Sequence, residues 1–91
     1  MSPNPYPLFS ISQKDKPEQI EKRIGMLIRL YLKANNPVIA EAVVEHINAI
    51  LIFPGFIVDI KQRCAFRRLA THWHCIAWIN RLTNEDYIFN E

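Results

Sequence analysis

The stretch 36–53 reads NPVIAEAVVEHINAILIF, and it decides the fold. At about 100° per residue, the apolar side chains between Val38 and Leu51 occupy most of the circumference of a helix. Its polar residues Glu41, Glu45 and Asn48 form one narrow arc. A helix this apolar must be covered on both flanks. The segments before and after it, or a second copy of the chain, are therefore expected to pack against it.

Composition favours one mainly helical domain spanning residues 1–91. Hydrophobic residues make up 49% of the 91 residues and charged residues 22%, which is typical of a globular chain. Only two glycines are present, too few for a turn-rich all-β fold. A net charge of +2 neither requires nor excludes an anionic partner.

Capping residues predict where the helices begin. Asp15 can cap a first helix, with Glu18 completing a capping box, and Asn36 can cap the second. Asp59, followed three residues later by Gln62, predicts the start of the third helix. The predicted fold is therefore an all-α three-helix bundle. Its parts are an extended Pro-rich N-terminal arm (1–14), helices at 15–34, 36–53 and 59–82, and a short apolar C-terminal tail (83–91).

The predicted arm alternates proline with apolar residues. Pro3, Pro5 and Pro7 forbid a helix, while the apolar side chains between and after them favour packing of an extended strip across the helices. The alternative is a peptide motif for another protein's groove. The sequence leaves both interpretations open.

The third helix carries two apolar faces. Its main face is expected to pack on the central helix, and a second stripe lies on the side away from it. One helix with two apolar faces needs two partners, which favours a homodimer or a protein partner. The main face comprises Ala65, Phe66, Leu69, Ala70, Trp73, Ile76 and Ala77. The predicted partner-binding residues are Cys64, Thr71, Cys75, Trp78 and Leu82.

Cations of the third helix support an alternative function. No acidic residue occurs from 60 to 84, so its arginines could solubilise the helix and pair with acids elsewhere, or contact nucleic-acid phosphate. A stripe of Lys22, Arg29 and Lys33 on the first helix could contribute to the same contact. The predicted anion-binding residues are Arg63, Arg67, Arg68, His74 and Arg81.

Metal, cofactor and catalytic sites are not expected. His72 and His74 point about 200° apart on a regular helix, so neither Cys64 nor Cys75 can complete a site with both. There is no glycine-rich phosphate loop and no nucleophile elbow, so we do not predict an enzyme.

His46 lies on the apolar side of the central helix, where we expect a neutral core histidine with one hydrogen-bond partner. We also expect no signal peptide, because the first residues show no charged n-region, apolar h-region or small-residue cleavage site. No apolar run reaches about 20 residues, so we expect no membrane span, and a cytoplasmic location is the default expectation. The sequence favours a small non-enzymatic interaction or regulatory module, with nucleic-acid binding as the alternative.

Overall fold

The computed structural model describes residues 11–12 and 14–89, the last six of these by their backbone alone. It contains three helices, α1 (Pro17–Ala34), α2 (Pro37–Ile52) and α3 (Ile60–Phe89), and no strand within the described residues. The predicted all-α three-helix bundle is confirmed. Residues 1–10, 13 and 90–91, which include most of the predicted arm, lie outside the described part.

α1 begins two residues later than predicted. Lys16, not Asp15, is the N-cap, and the Gln19 side chain accepts a hydrogen bond from the Lys16 backbone N–H at 3.1 Å. Pro17 sets this boundary, because its fixed φ suits the first helical position. The Asp15 carboxylate instead accepts from the Ser12 N–H at 2.7 Å and pairs with Arg23.

The connection between α1 and α2 follows the prediction. Asn35 ends α1 in the left-handed conformation (φ 51°), with its N–H bonded to the Tyr31 carbonyl at 2.7 Å. The Asn36 side chain then accepts from the Val38 N–H at 2.9 Å and caps α2. Two residues therefore reverse the chain, which makes α1 and α2 antiparallel neighbours.

α2 is the centre of the bundle. It packs against both α1 and α3, whereas no Cα atom of α1 lies within 8 Å of a Cα atom of α3 in the described part. The apolar character of α2 on nearly every side is thus explained by cover on two flanks. The buried core comprises Ile20, Ile24, Leu27, Ile39, Ala40, Ala42, Val43, Ile47, Ile50, Ile57, Ala70, Trp73 and Ala77.

α3 side chains satisfy backbone carbonyls at the ends of both preceding helices. The Arg63 guanidinium donates to the Leu51 carbonyl in the last turn of α2 and to the Ile57 carbonyl, both at 3.2 Å. The Asn80 amide donates to the Asn35 carbonyl at 2.6 Å. Because terminal helix carbonyls have no partner within their own helix, these bonds fasten α3 to both neighbours.

α3 is longer than predicted. It continues to Phe89, so residues 83–89 of the predicted tail belong to the helix. Neither glycine nor proline interrupts these residues, and the Thr83 hydroxyl donates to the Ile79 carbonyl at 2.9 Å. At about 1.5 Å per residue, α3 is about 45 Å long and α2 about 24 Å. Because Asn80 bonds to the Asn35 carbonyl in the α1–α2 turn, the part of α3 that follows Asn80 extends beyond that turn.

His46 is the core histidine that the sequence predicts. Its side chain is fully buried, and Nδ1 donates to the Ala42 carbonyl at 2.7 Å. Within the described residues, Nε2 has no hydrogen-bond partner. Burial lowers the pKa of His46 below the ordinary value of 6.5 and nearby Arg23 lowers it further, while the Ala42 bond, Glu45 and Asp15 oppose this shift.

This histidine makes the fold less stable as pH falls below about 6.5. The unfolded chain takes up a proton at its ordinary pKa, whereas the folded chain resists protonation until its lower pKa is reached. Between these two pKa values the unfolded state binds more protons than the folded state, so the free energy of unfolding decreases as the pH decreases. Urea unfolding at intervals from pH 8 to pH 5 measures the loss.

The control is His46→Leu, which we expect to remove the loss between pH 6.5 and 5. His72→Leu changes an exposed histidine on α3 and should leave it in place. Asp15 and Glu41 have lowered pKa values, so their stabilising contributions are lost only at more acidic pH. An equal slope in the wild type and in His46→Leu would contradict the prediction.

Candidate interaction surface on the third helix

The five predicted partner-binding residues lie together on one exposed face of α3. Cys64, Thr71 and Cys75 are exposed, and Trp78 and Leu82 are 61% and 41% exposed. We call these five residues the α3 outer face. The opposite side of the same helix packs on α2, so the two faces that the sequence predicts are separated as expected.

The packed side differs from the prediction at one residue. Ala65 belongs to the predicted main face, yet it is exposed. It lies at the margin of that face, about 80° from Trp73, and the helix turns it away from α2. The remaining residues of the predicted main face are buried or half-buried.

Ile79 is an exposed apolar residue that the sequence analysis missed. It is as exposed as Trp78 and follows it directly, so it lies about 100° around the helix, at the edge of the outer face. The predicted stripe included only the central positions of this face, so it did not include Ile79. The wider arc of apolar positions not needed for the α2 contact would have included it.

A second apolar patch lies at the corner between α2 and α3. Ile52, Val58 and Ile60 are largely exposed there. The neighbouring surface forms a groove lined by Ile11, Ser12, Ala49, Ile52, Phe53 and Pro54. The corner turns at Gly55, whose φ of 77° favours glycine.

The structure separates the predicted anion-binding residues. Arg63 is half-buried and bound to the carbonyls described above. Arg81 binds both carboxylate oxygens of Glu41, one of them at 2.8 Å, and this bond is the main cause of the lowered pKa of Glu41. His74 lines a shallow depression with Glu41 and Glu45. Of the five predicted anion-binding residues, Arg67 and Arg68 are thus the two that are exposed and take part in none of these contacts.

The predicted cation stripe of α1 is exposed to solvent. Lys22, Arg29 and Lys33 are exposed, and Met26 lies exposed among them. Met26, Arg29, Leu30 and Lys33 line a shallow depression of α1.

Neither a metal-binding cluster nor a membrane-spanning helix occurs among the described residues. No group of three or more His, Cys, Asp or Glu side chains is arranged to hold a metal ion there, and the two cysteines are free. In the same residues, none of the three helices combines the length and the apolar character that a membrane span requires. Comparisons with models of protein families, with curated proteins and with solved structures found no match.

Proposed function

We propose that the protein is a small non-enzymatic interaction module that self-associates through the α3 outer face. The observation that carries this proposal is the apolar arc around Trp78 and Leu82, which points away from the core although its helix is already packed on α2. Monomeric proteins rarely leave such surface uncovered without a partner. We propose the cytoplasm as its location, since free exposed cysteines suit a reducing compartment.

The length of α3 supports this function. Its last turns extend beyond the α1–α2 turn, at which α1 ends and α2 begins. An isolated helical end gains stability mainly by packing an apolar side against another element. A second copy can provide that element.

We expect Trp78→Glu to abolish self-association. Light scattering on a sizing column should give twice the chain mass of 10.7 kDa for the wild type and the monomer mass for the variant. A buried tryptophan at the centre of an interface is worth about 2 kcal/mol or more, so the dimer dissociation constant should rise about thirtyfold or more.

The matched control is Leu32→Glu, because Leu32 on α1 is 73% exposed and lies away from the outer face. This variant should remain a dimer. Circular dichroism checks that both variants keep the wild-type helical content. A wild-type chain that is monomeric at all accessible concentrations would refute self-association.

Nucleic-acid binding is the second candidate. It is favoured by Arg67 and Arg68, two exposed neighbouring cations in a segment without acids. Retention on heparin at low salt, with an affinity that falls steeply as salt rises, would support it. It would be contradicted if Arg67→Glu and Arg68→Glu together left that retention unchanged.

A further inference from the structure

The groove beside the α2–α3 corner lies where the described chain begins. Ala49 and Phe53, the half-buried residues of its lining, stand one helical turn apart on α2, and Ile11 and Pro54 line it as well. Ile52, which is 78% exposed, lies at its rim. The groove has a volume of about 380 Å³, within the range of about 300–1,000 Å³ for ligand sites in proteins. It is therefore large enough to receive a side chain from outside its own lining.

The chain itself brings such a side chain to the groove. Ile11 belongs to the lining, and the backbone of Phe9 is two residues away, at most about 7 Å. In an extended chain alternate side chains point to the same side, which would place Phe9 on the side of Ile11. Ala49 and Phe53 are about 6 Å apart along α2. The ring of Phe9 can therefore reach both of them.

The chemistry of the groove matches that of the segment before Ile11. None of the residues that line the groove is charged, and the first charged side chain of the sequence is that of Lys14. A large apolar side chain gains free energy on leaving water for such a groove, whereas a charged side chain would lose its hydration there. The uncharged apolar segment 6–9, Tyr-Pro-Leu-Phe, is thus a suitable occupant.

The covalent connection favours this segment over the same segment of a second copy. A group held by a short linker has an effective concentration on the order of millimolar, which a second copy must exceed to compete. Only Phe9 and Ser10 have to lose backbone freedom when the ring enters the groove. The cost of ordering is therefore small for the chain's own segment.

We infer that Phe9 occupies this groove within its own chain, in contact with Ala49 and Phe53, while Ile52 remains at the solvent-exposed rim. The predicted arm is thereby an intramolecular ligand of the bundle, and not a peptide motif presented to another protein. This inference concerns a different set of residues from the α3 outer face. It does not depend on self-association.

Nuclear Overhauser effects in the full chain test the contact. In a uniformly isotope-labelled sample, we expect cross-peaks between the ring protons of Phe9 and the methyl protons of Ala49. In an equimolar mixture of labelled and unlabelled chains, an isotope-filtered spectrum retains only contacts between copies, and these cross-peaks should be missing from it. A fully labelled sample without the contact would overturn the inference. Cross-peaks in the filtered spectrum would also overturn it, because the occupant would then come from a second copy.

Thiol protection provides a second test. In a chain with Cys64→Ala and Cys75→Ala, the thiol introduced by Ala49→Cys should react with iodoacetamide about tenfold faster once Phe9→Ser is added, because the ring no longer covers it. Asn48→Cys is the matched control, since Asn48 is exposed on the same helix but does not line the groove. Its reaction rate should not respond to Phe9→Ser. Circular dichroism checks that all variants keep the wild-type helical content. Equal rates for Ala49→Cys with and without Phe9→Ser would contradict the inference.

Discussion

Replacing Ile47 with alanine will lower the free energy of unfolding by about 2–5 kcal/mol. Ile47 is fully buried on α2, the helix that both neighbours cover. The loss combines the transfer of the removed methylene and methyl groups with the cavity left between packed helices. Urea unfolding followed by circular dichroism measures it.

Ile52→Ala makes the same chemical change on the same helix and is its control. Ile52 is 78% exposed, so its replacement should change the free energy of unfolding by no more than about 0.5 kcal/mol. Equal losses for the two variants would show that α2 is not covered as described. The comparison should be made at pH 8, where His46 is neutral in the folded and the unfolded chain.

The second large effect is expected for Trp73→Ala, at about 3–5 kcal/mol. The Trp73 side chain is 7% exposed, and its ring meets the Tyr31 ring edge to face, with 5.2 Å between centroids and 88° between planes. The Tyr31 hydroxyl in turn accepts a hydrogen bond from the Asn80 amide at 3.0 Å. Loss of the indole therefore removes core packing and loosens the contact between α1 and α3.

Trp78→Ala is the matched control on the opposite side of the same helix. Its effect should depend on protein concentration, because Trp78 contributes to stability only through association. At concentrations where the wild type is monomeric, the wild type and Trp78→Ala should have the same free energy of unfolding. The Trp73→Ala loss should persist at every concentration. A Trp78→Ala loss of the same size in dilute monomer would place Trp78 in the core.

Periodicity predicted the elements of this fold well. The apolar circumference of residues 36–53 indicated a helix covered on both sides, and the structure places α2 between two neighbours. Asn36 and Pro37 indicated the start of α2 because capping chemistry is local. The two faces of α3 were likewise readable, since helical position alone decides which side chains lie together.

Sequence periodicity could not predict the tertiary hydrogen bonds. The Arg63 guanidinium binds carbonyls six and twelve residues earlier, and their position depends on how the chain turns at the corner. The Arg81–Glu41 pair joins residues forty positions apart. The sequence suggested pairing with acids as one account of the α3 cations, but it could not choose which arginines would be engaged. The end of α3 was missed because no helix-breaking residue marks it.

The central position of α2 also sets the order in which the backbone opens. α1 can separate by exposing one side of α2, whereas α2 cannot move without exposing the cores of both neighbours. Opening of an outer helix is therefore less costly than opening of α2, and the last turns of α3, which extend beyond the α1–α2 turn, should open first. Amide protons of α2 then exchange with solvent only when the whole molecule unfolds. Their slowest exchange rates report the global stability of the protein.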